Sequence, residues 1–237
     1  MTEALFRADA YLKSCDATVV SINDRGGVVL DRTVFYPTGG GQPGDSGTML
    51  CADGTSLHIV TAVKGESADE VVHVLPDDAD RPAVGAQVTV TLDWDRRHAH
   101  MRMHTCLHLL SAVLSYPVTG GQVGAEKSRL DFDIPEATLD KDEITAELNR
   151  LIDADDPVGF RWITDAELEA SPDLVKTMSV KPPTGAGHVR LVEVQGRDLQ
   201  PCGGTHVART GEIGPVEVRQ IEKKGRQNRR VSIQFRQ

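Results

Sequence analysis

From residue 18 to residue 92 the chain alternates short β-branched or aromatic runs with turn residues. Residues 18–22, 27–30 and 33–36 read as strands, and Asn23-Asp-Arg-Gly26 sits between the first two as a hairpin turn. Residues 58–63, 70–75 and 87–92 continue the pattern at regular spacing. Repeated short strands of this kind predict a small antiparallel β-barrel or sandwich. The polar, proline-containing stretch 76–85 predicts a loop.

At residue 93 the period changes. Asp95 is placed to cap a helix whose apolar positions are Met103, Leu107, Leu110, Val113 and Leu114, and Pro117 predicts its end. A second helix is expected to start at Asp140, with Glu143 three residues on as a capping-box-like pair, and to run to about residue 153. Strands are expected at 158–163, 188–194, 215–221 and 230–235, and a short helix within 165–175. The chain thus reads as α+β in two domains: 1–92, a small antiparallel β-barrel carrying a glycine-rich loop, and 93–237, an α+β domain.

A chain of 237 residues is long enough to bury a real core. Its 39% hydrophobic and 26% charged content is that of an ordinary soluble globular protein. A formal net charge of −9 argues against a simple DNA-coating protein but leaves room for a local basic surface. Such a surface is predicted at residues 219–236, where Lys223, Lys224, Arg226, Arg229 and Arg230 face only Glu222. Lys223, Lys224 and Arg226 are candidates for phosphate contact, and Lys127, Arg129 and Lys181 could extend them. Cysteines at 15, 51, 106 and 202 follow no framework spacing, which predicts a reducing, cytoplasmic compartment. No stretch has the length of a membrane span, and the first nine residues lack the apolar core of a signal peptide, so no membrane partner is expected.

Two short stretches carry chemistry. His104-Thr-Cys-Leu-His108 puts two imidazoles four residues apart, on one face of a helix. His100 shares that face, so helix geometry alone leaves the register of the pair open. Cys202-Gly-Gly-Thr-His206 supplies a thiolate and a third imidazole from a tight turn, whose Gly203 and Gly204 allow close backbone approach to an ion or substrate. Together His104, His108, Cys202 and His206 form a soft nitrogen–sulfur set, which selects zinc over magnesium or calcium. Cys106 falls on another helix face and reads as core; His58, His73, His98 and His188 read as structural or surface residues. Gly39, Gly41 and Gly44 match a G-x-G-x-x-G pattern, but Pro43, Gly44 and Gly47 preclude the helix that a dinucleotide fold needs next.

These motifs resemble those of a known family. His104-Thr-Cys-Leu-His108-Leu-Leu and Pro-Cys202-Gly-Gly-Thr-His206 are similar to the two zinc motifs of the alanyl-tRNA synthetase editing domain. Phe35-Tyr-Pro-Thr-Gly-Gly-Gly-Gln42, Arg129-Leu-Asp-Phe132 and Thr210-Gly-Glu-Ile-Gly214 agree in the same order. No aminoacylation domain fits within the chain, which therefore resembles the free-standing AlaX editing proteins in their medium-length form. The resemblance implies an editing domain of the threonyl/alanyl-tRNA synthetase type. It implies one zinc per chain on His104, His108, Cys202 and His206, and hydrolysis of tRNA(Ala) mischarged with Ser or Gly. It places His104, His108, Cys202 and Gln122 at the catalytic centre; Gln122 belongs to a Gln-x-Gly segment that bears on amino-acid choice. It assigns substrate contact to Thr38, Gly40, Gly41 and Gln42 of the glycine-rich loop, and to Arg129, Asp131, Gly203 and Gly204. Two other classes share the zinc motif: a hydrolase of a small ester or amide, and a non-catalytic RNA-binding protein with structural zinc. A tRNA substrate predicts the basic C-terminal edge; a metabolite does not.

Overall fold

The computed structural model describes residues 2–67, 69–135, 138–177 and 187–236. The chain divides into two compact units, residues 1–98 and 99–237.

The first unit holds β1 (Glu3–Ala4), β2 (Ser14–Ile22), β3 (Val28–Leu30), β4 (Arg32–Thr33), β5 (Gly47–Cys51), β6 (Ser56–Ile59), β7 (Thr61–Lys64), β8 (Val71–Val74) and β9 (Gln87–Leu92). Seven of these form one antiparallel sheet in the order β6-β5-β9-β2-β3-β8-β7. The two outermost strands are separated in sequence by Val60 alone, so the sheet curls into a nearly closed barrel. Alternation drives the closure: Val88, Val90 and Leu92 of β9 point inward with Val19, Leu30, Met49 and Ile59, around a buried Phe35.

Two expectations shift here, and one strand is added. The run 33–36 leaves the ladder after Thr33, because the Phe35 amide donates to Thr33 Oγ1 and the Tyr36 amide to Asp45 Oδ2. The run 58–63 breaks at Val60, whose amide donates to Val74 O, and becomes β6 and β7. Strand β5 went unanticipated. The glycine-rich loop makes a two-residue turn, with Gly40 and Gly41 at φ 56° and 81° and paired backbone bonds between Gly39 and Gln42. Gly44 is required by close approach, since a Cβ there would sit 1.9 Å from Ala62 O.

That loop is tied to the first turn of α1 (Trp94–Val113) by a fully buried ion pair. Arg97 Nε donates to both Asp45 oxygens at 2.9 and 3.0 Å, its Nη2 to Asp45 and Val34 O, and its Nη1 to Ala10 O. Asp93, rather than Asp95, caps this helix: Asp93 Oδ1 accepts from the Arg96 amide.

The second unit carries most of α1, then β10 (Val118–Gln122), β11 (Lys127–Asp133), α2 (Lys141–Asp153), β12 (Val158–Thr164), α3 (Asp165–Glu169), β13 (His188–Val194), β14 (Asp198–Pro201), β15 (Val216–Lys223) and β16 (Asn228–Phe235). Two antiparallel sheets result, β10-β11-β16-β15 and β12-β13-β14. Strands β10, β11 and β14 were not anticipated. Helix α2 begins where expected, Asp140 accepting from the Asp142 and Glu143 amides. It covers the outer edge of β15: Asn149 bonds both the Val216 amide and carbonyl, and Thr145 Oγ1 accepts from the Val218 amide. No described helix is long and apolar enough to cross a membrane.

Candidate metal centre

His104 and His108 lie one turn apart on the buried face of α1. Cys202 and His206 come from the loop after β14, and one ligand atom from each of the four lies within 4.8 Å of the others. Cys202 Sγ is 3.5 Å from His104 Nε2 and 3.3 Å from His206 Nε2. The His206 ring centre is 4.3 Å from that of His104 and 4.6 Å from that of His108. His100, one turn earlier on α1, is buried but outside this group, which settles the register of the histidine pair. Cys106 is fully buried in the core, which pushes its thiol up to about 12.

Three of the four ligands are aimed by neighbours outside the cluster. His108 Nδ1 donates to Asp198 Oδ2 at 2.8 Å, which leaves Nε2 for the cluster. The Asp198 carboxylate is itself buried and accepts from Lys176 Nζ at 2.5 Å and Gln200 Nε2 at 2.8 Å. Gln200 Nε2 also donates to Ser111 Oγ, tying β14 to α1. Thr105 Oγ1 donates to Met101 O and accepts from His206 Nδ1 at 3.1 Å, so His206 too presents Nε2. The Gly204 amide donates to Cys202 Sγ at 3.4 Å. Arg190 on β13 fixes the loop, its Nη1 donating to Cys202 O and Gly204 O at 3.0 Å each.

The electrostatics follow from this packing. Burial opposes ionisation of the Cys202 thiol, but His104 and His206 beside it hold its pKa well below that of a free thiol. Burial raises Asp198, and its bonds from His108 and Lys176 outweigh that, bringing it down to about 2. Burial and the neighbouring His104 push His206 down to about 3, a neutral imidazole. Burial lowers the His108 pKa, but its bonds to Asp198 and Cys202 outweigh that and raise it to about 9, so a cation would have to displace the Nε2 proton. A thiolate and three imidazoles converging in this way are what a soft divalent cation binds.

The remaining candidates are distributed. Gln122, at the end of β10, is exposed and accepts from Arg129 Nε at 3.4 Å. Both line a groove of about 650 Å³ that includes none of the four ligand residues. Asp131 is saturated by Arg129 and, through two bonds, by Arg230. Gly203 and Gly204 are in the ligand loop, and a Cβ on Gly203 would meet nothing within 4 Å. In the first unit, Thr38 Oγ1 accepts from the Gly44 amide, Gly40 and Gly41 form the tight turn, and Gln42 is buried. Lys223, Lys224 and Arg226 are exposed at the β15–β16 turn, with Lys224 paired to Glu222. Lys181 lies outside the described residues. Thr105, Lys176, Arg190, Asp198 and Gln200 were missed; the one available signal was the alternation of Asp198 and Gln200 just ahead of Cys202, which turns both toward one face.

Comparison with known proteins agrees with this geometry. A family model described as Threonyl and Alanyl tRNA synthetase second additional domain matches residues 189–232, and one described as tRNA synthetases class II (A) matches residues 9–96. An alanyl-tRNA editing protein AlaX-M of Methanosarcina acetivorans is 36% identical over 98% of this chain and 98% of its own. That of Methanosarcina mazei is 36% identical over 98% and 95%. An alanine–tRNA ligase of Pyrobaculum neutrophilum is 35% identical over 94% of this chain and 25% of its own. With the match running through both units from end to end, the chain belongs to the AlaX family of alanyl-tRNA editing proteins.

Proposed function

We propose that this chain hydrolyses tRNA(Ala) mischarged with serine, and secondarily with glycine, using one zinc ion held by His104, His108, Cys202 and His206. AlaX editing proteins are deacylases of misacylated tRNA, and the observation that carries the reading here is the convergence of those four side chains. Zn–S bonds of about 2.3 Å and Zn–N bonds of about 2.0 Å give tetrahedral S···N edges of about 3.5 Å. The two Sγ···Nε2 separations, 3.5 and 3.3 Å, fit that requirement.

Hydrolysis of an aminoacyl ester needs a positioned water and stabilisation of a tetrahedral oxyanion. Bound zinc supplies a Lewis acid for that chemistry. The protein's own contribution is to hold protons where they do not obstruct it. Asp198 keeps the His108 proton on Nδ1, and the Thr105 hydroxyl does the same for His206. Gln122 is the residue the resemblance names for amino-acid choice; exposed and bonded to Arg129, it would have to turn toward the ligands and be shielded from water to pair with a seryl hydroxyl. In this reading residues 1–92 form the accessory barrel and 93–237 the editing domain, and a cytoplasmic setting follows from the tRNA substrate.

The test is deacylation of seryl-, glycyl- and alanyl-tRNA(Ala), before and after metal removal by a chelator. The first two esters are expected to be cleaved, the third spared, and cleavage lost with the metal. Equal cleavage of seryl and alanyl esters would overturn the editing role. Full activity in metal-free protein would overturn the zinc role, and unfolding on chelation would point to a structural ion.

A further inference from the structure

Strand β12 is the edge of its sheet and is unusually bare. Among the described residues the exposed large aromatics are Tyr116, Phe160 and Trp162, and the last two stand on this strand. They are 43% and 47% exposed. Two residues apart, they point to the same face. Register identifies that face. Phe160 pairs with Val192 and Trp162 with Arg190 on β13; Val192 in turn pairs with Gln200 on β14. Gln200 bonds Ser111 on α1 and sits 3.1 Å from Nδ1 of His108. The aromatic pair therefore lies on the side of the sheet that faces α1 and the metal ligands, on the outermost strand.

Arg190 joins the two features directly. Its guanidinium sits over the Phe160 ring, 4.5 Å from the centroid, and the same group donates to Cys202 O and Gly204 O. From Trp162 to Cys202 is two strand spacings, about 10 Å. A nucleobase on the ribose that bears the ester, or the base before it, falls within that reach of a carbonyl at the metal centre. Exposed aromatic faces backed by an arginine are how proteins hold unpaired bases without reading their sequence.

We propose that Phe160 and Trp162 form a stacking platform for the unpaired 3′-terminal bases of the RNA, with Arg190 coupling that platform to the ligand loop. The inference rests on the editing reading above and names the part of the substrate this face takes. A second copy of the chain pairing along β12 is the competing occupant.

The chain has two tryptophans, Trp94 and Trp162, so Trp94→Phe leaves Trp162 as the sole indole reporter. Titrating that protein with a deacylated RNA minihelix ending in an unpaired 3′ tail should quench its fluorescence. A blunt minihelix lacking the tail should not. In the otherwise unaltered protein, Trp162→Ala and Phe160→Ala should each raise KM for seryl-tRNA(Ala) about tenfold, and Trp162→Phe should restore most of it. Two results overturn the platform: no quenching at minihelix concentrations that saturate binding in a filter assay, or unchanged KM in both alanine variants. Dimers in the parent that dissociate in Trp162→Ala, by sedimentation, would assign the face to a second copy instead. If the unaltered protein cleaves no aminoacyl-tRNA at all, the editing reading fails first, and the quenching titration still decides whether the face takes an RNA tail.

Discussion

Asp198 Oδ2 lies 2.8 Å from His108 Nδ1, with its other oxygen on Lys176. A carboxylate behind a ligating imidazole fixes the ring's tautomer and raises its basicity. Asp198→Asn should keep the fold, by circular dichroism, and weaken metal binding about 10- to 100-fold in competition with a chromophoric chelator. Unchanged affinity would mean that packing alone orients His108.

The Arg97–Asp45 pair is sealed from water, and Asp45 also accepts the Tyr36 amide. Removing one partner leaves a buried charge without compensation. Asp45→Ala should therefore destabilise the protein by about 3–5 kcal/mol, read from urea midpoints. A shift below about 1 kcal/mol would show that water reaches the guanidinium.

His73 gives the barrel a pH response. Its Nδ1 donates to Val28 O and its Nε2 accepts from the Thr33 hydroxyl, so the ring is neutral. Burial lowers its pKa to about 4, despite the opposing bond to Val28. Unfolded histidine titrates near about 6.5. Between those values the unfolded chain binds a proton that the native state refuses. Stability from this group is full above the unfolded value and falls by up to about 1.4 kcal/mol per pH unit as pH drops toward the folded one. Urea midpoints should fall more steeply from pH 7 to pH 5 in the parent than in His73→Gln. Parallel slopes would contradict a neutral buried ring.

At the β15–β16 turn, Lys223 and Arg226 are exposed cations, and Lys224 is paired with Glu222. Reversing all three to glutamate should weaken tRNA binding and flatten its dependence on salt, since fewer counterions are released. Should affinity and salt slope stay as they were, the RNA lies on another surface, with Lys127 and Arg129 the next residues to reverse.

The elements most legible in the sequence were those whose local signals agree with their burial. Strands β9 and β13 fall on the expected residues, because their apolar positions are the ones the core takes. Strands β10 and β11 were hidden: the first is rich in glycine, the second alternates charge with buried Leu130 and Phe132, and β11 takes its other partner, β16, from the far end of the chain. Strand β14 has only four residues and ends in proline. The cap of α1 was misplaced because Asp93 and Asp95 are chemically equivalent, and only the bond to Arg96 separates them. The four converging side chains were legible because histidine and cysteine in fixed spacing are scarce. Asp198, Thr105 and Arg190 act through other residues, at distances in sequence that no local motif records.

The single residue between β6 and β7 makes the barrel's seam a covalent hinge. The two border strands of the sheet begin at Ile59 and Thr61, no more than about 7 Å apart along the chain, and on the β7 side Ala62 O is already taken by the Thr38 amide of the glycine-rich loop. A foreign strand trying to add to β6 is stopped at the stitch, and one trying to add to β7 meets the loop that already bonds Ala62. Breathing of one border also tugs on the other, so amides of β6 and β7 should exchange with solvent together although their strands never pair.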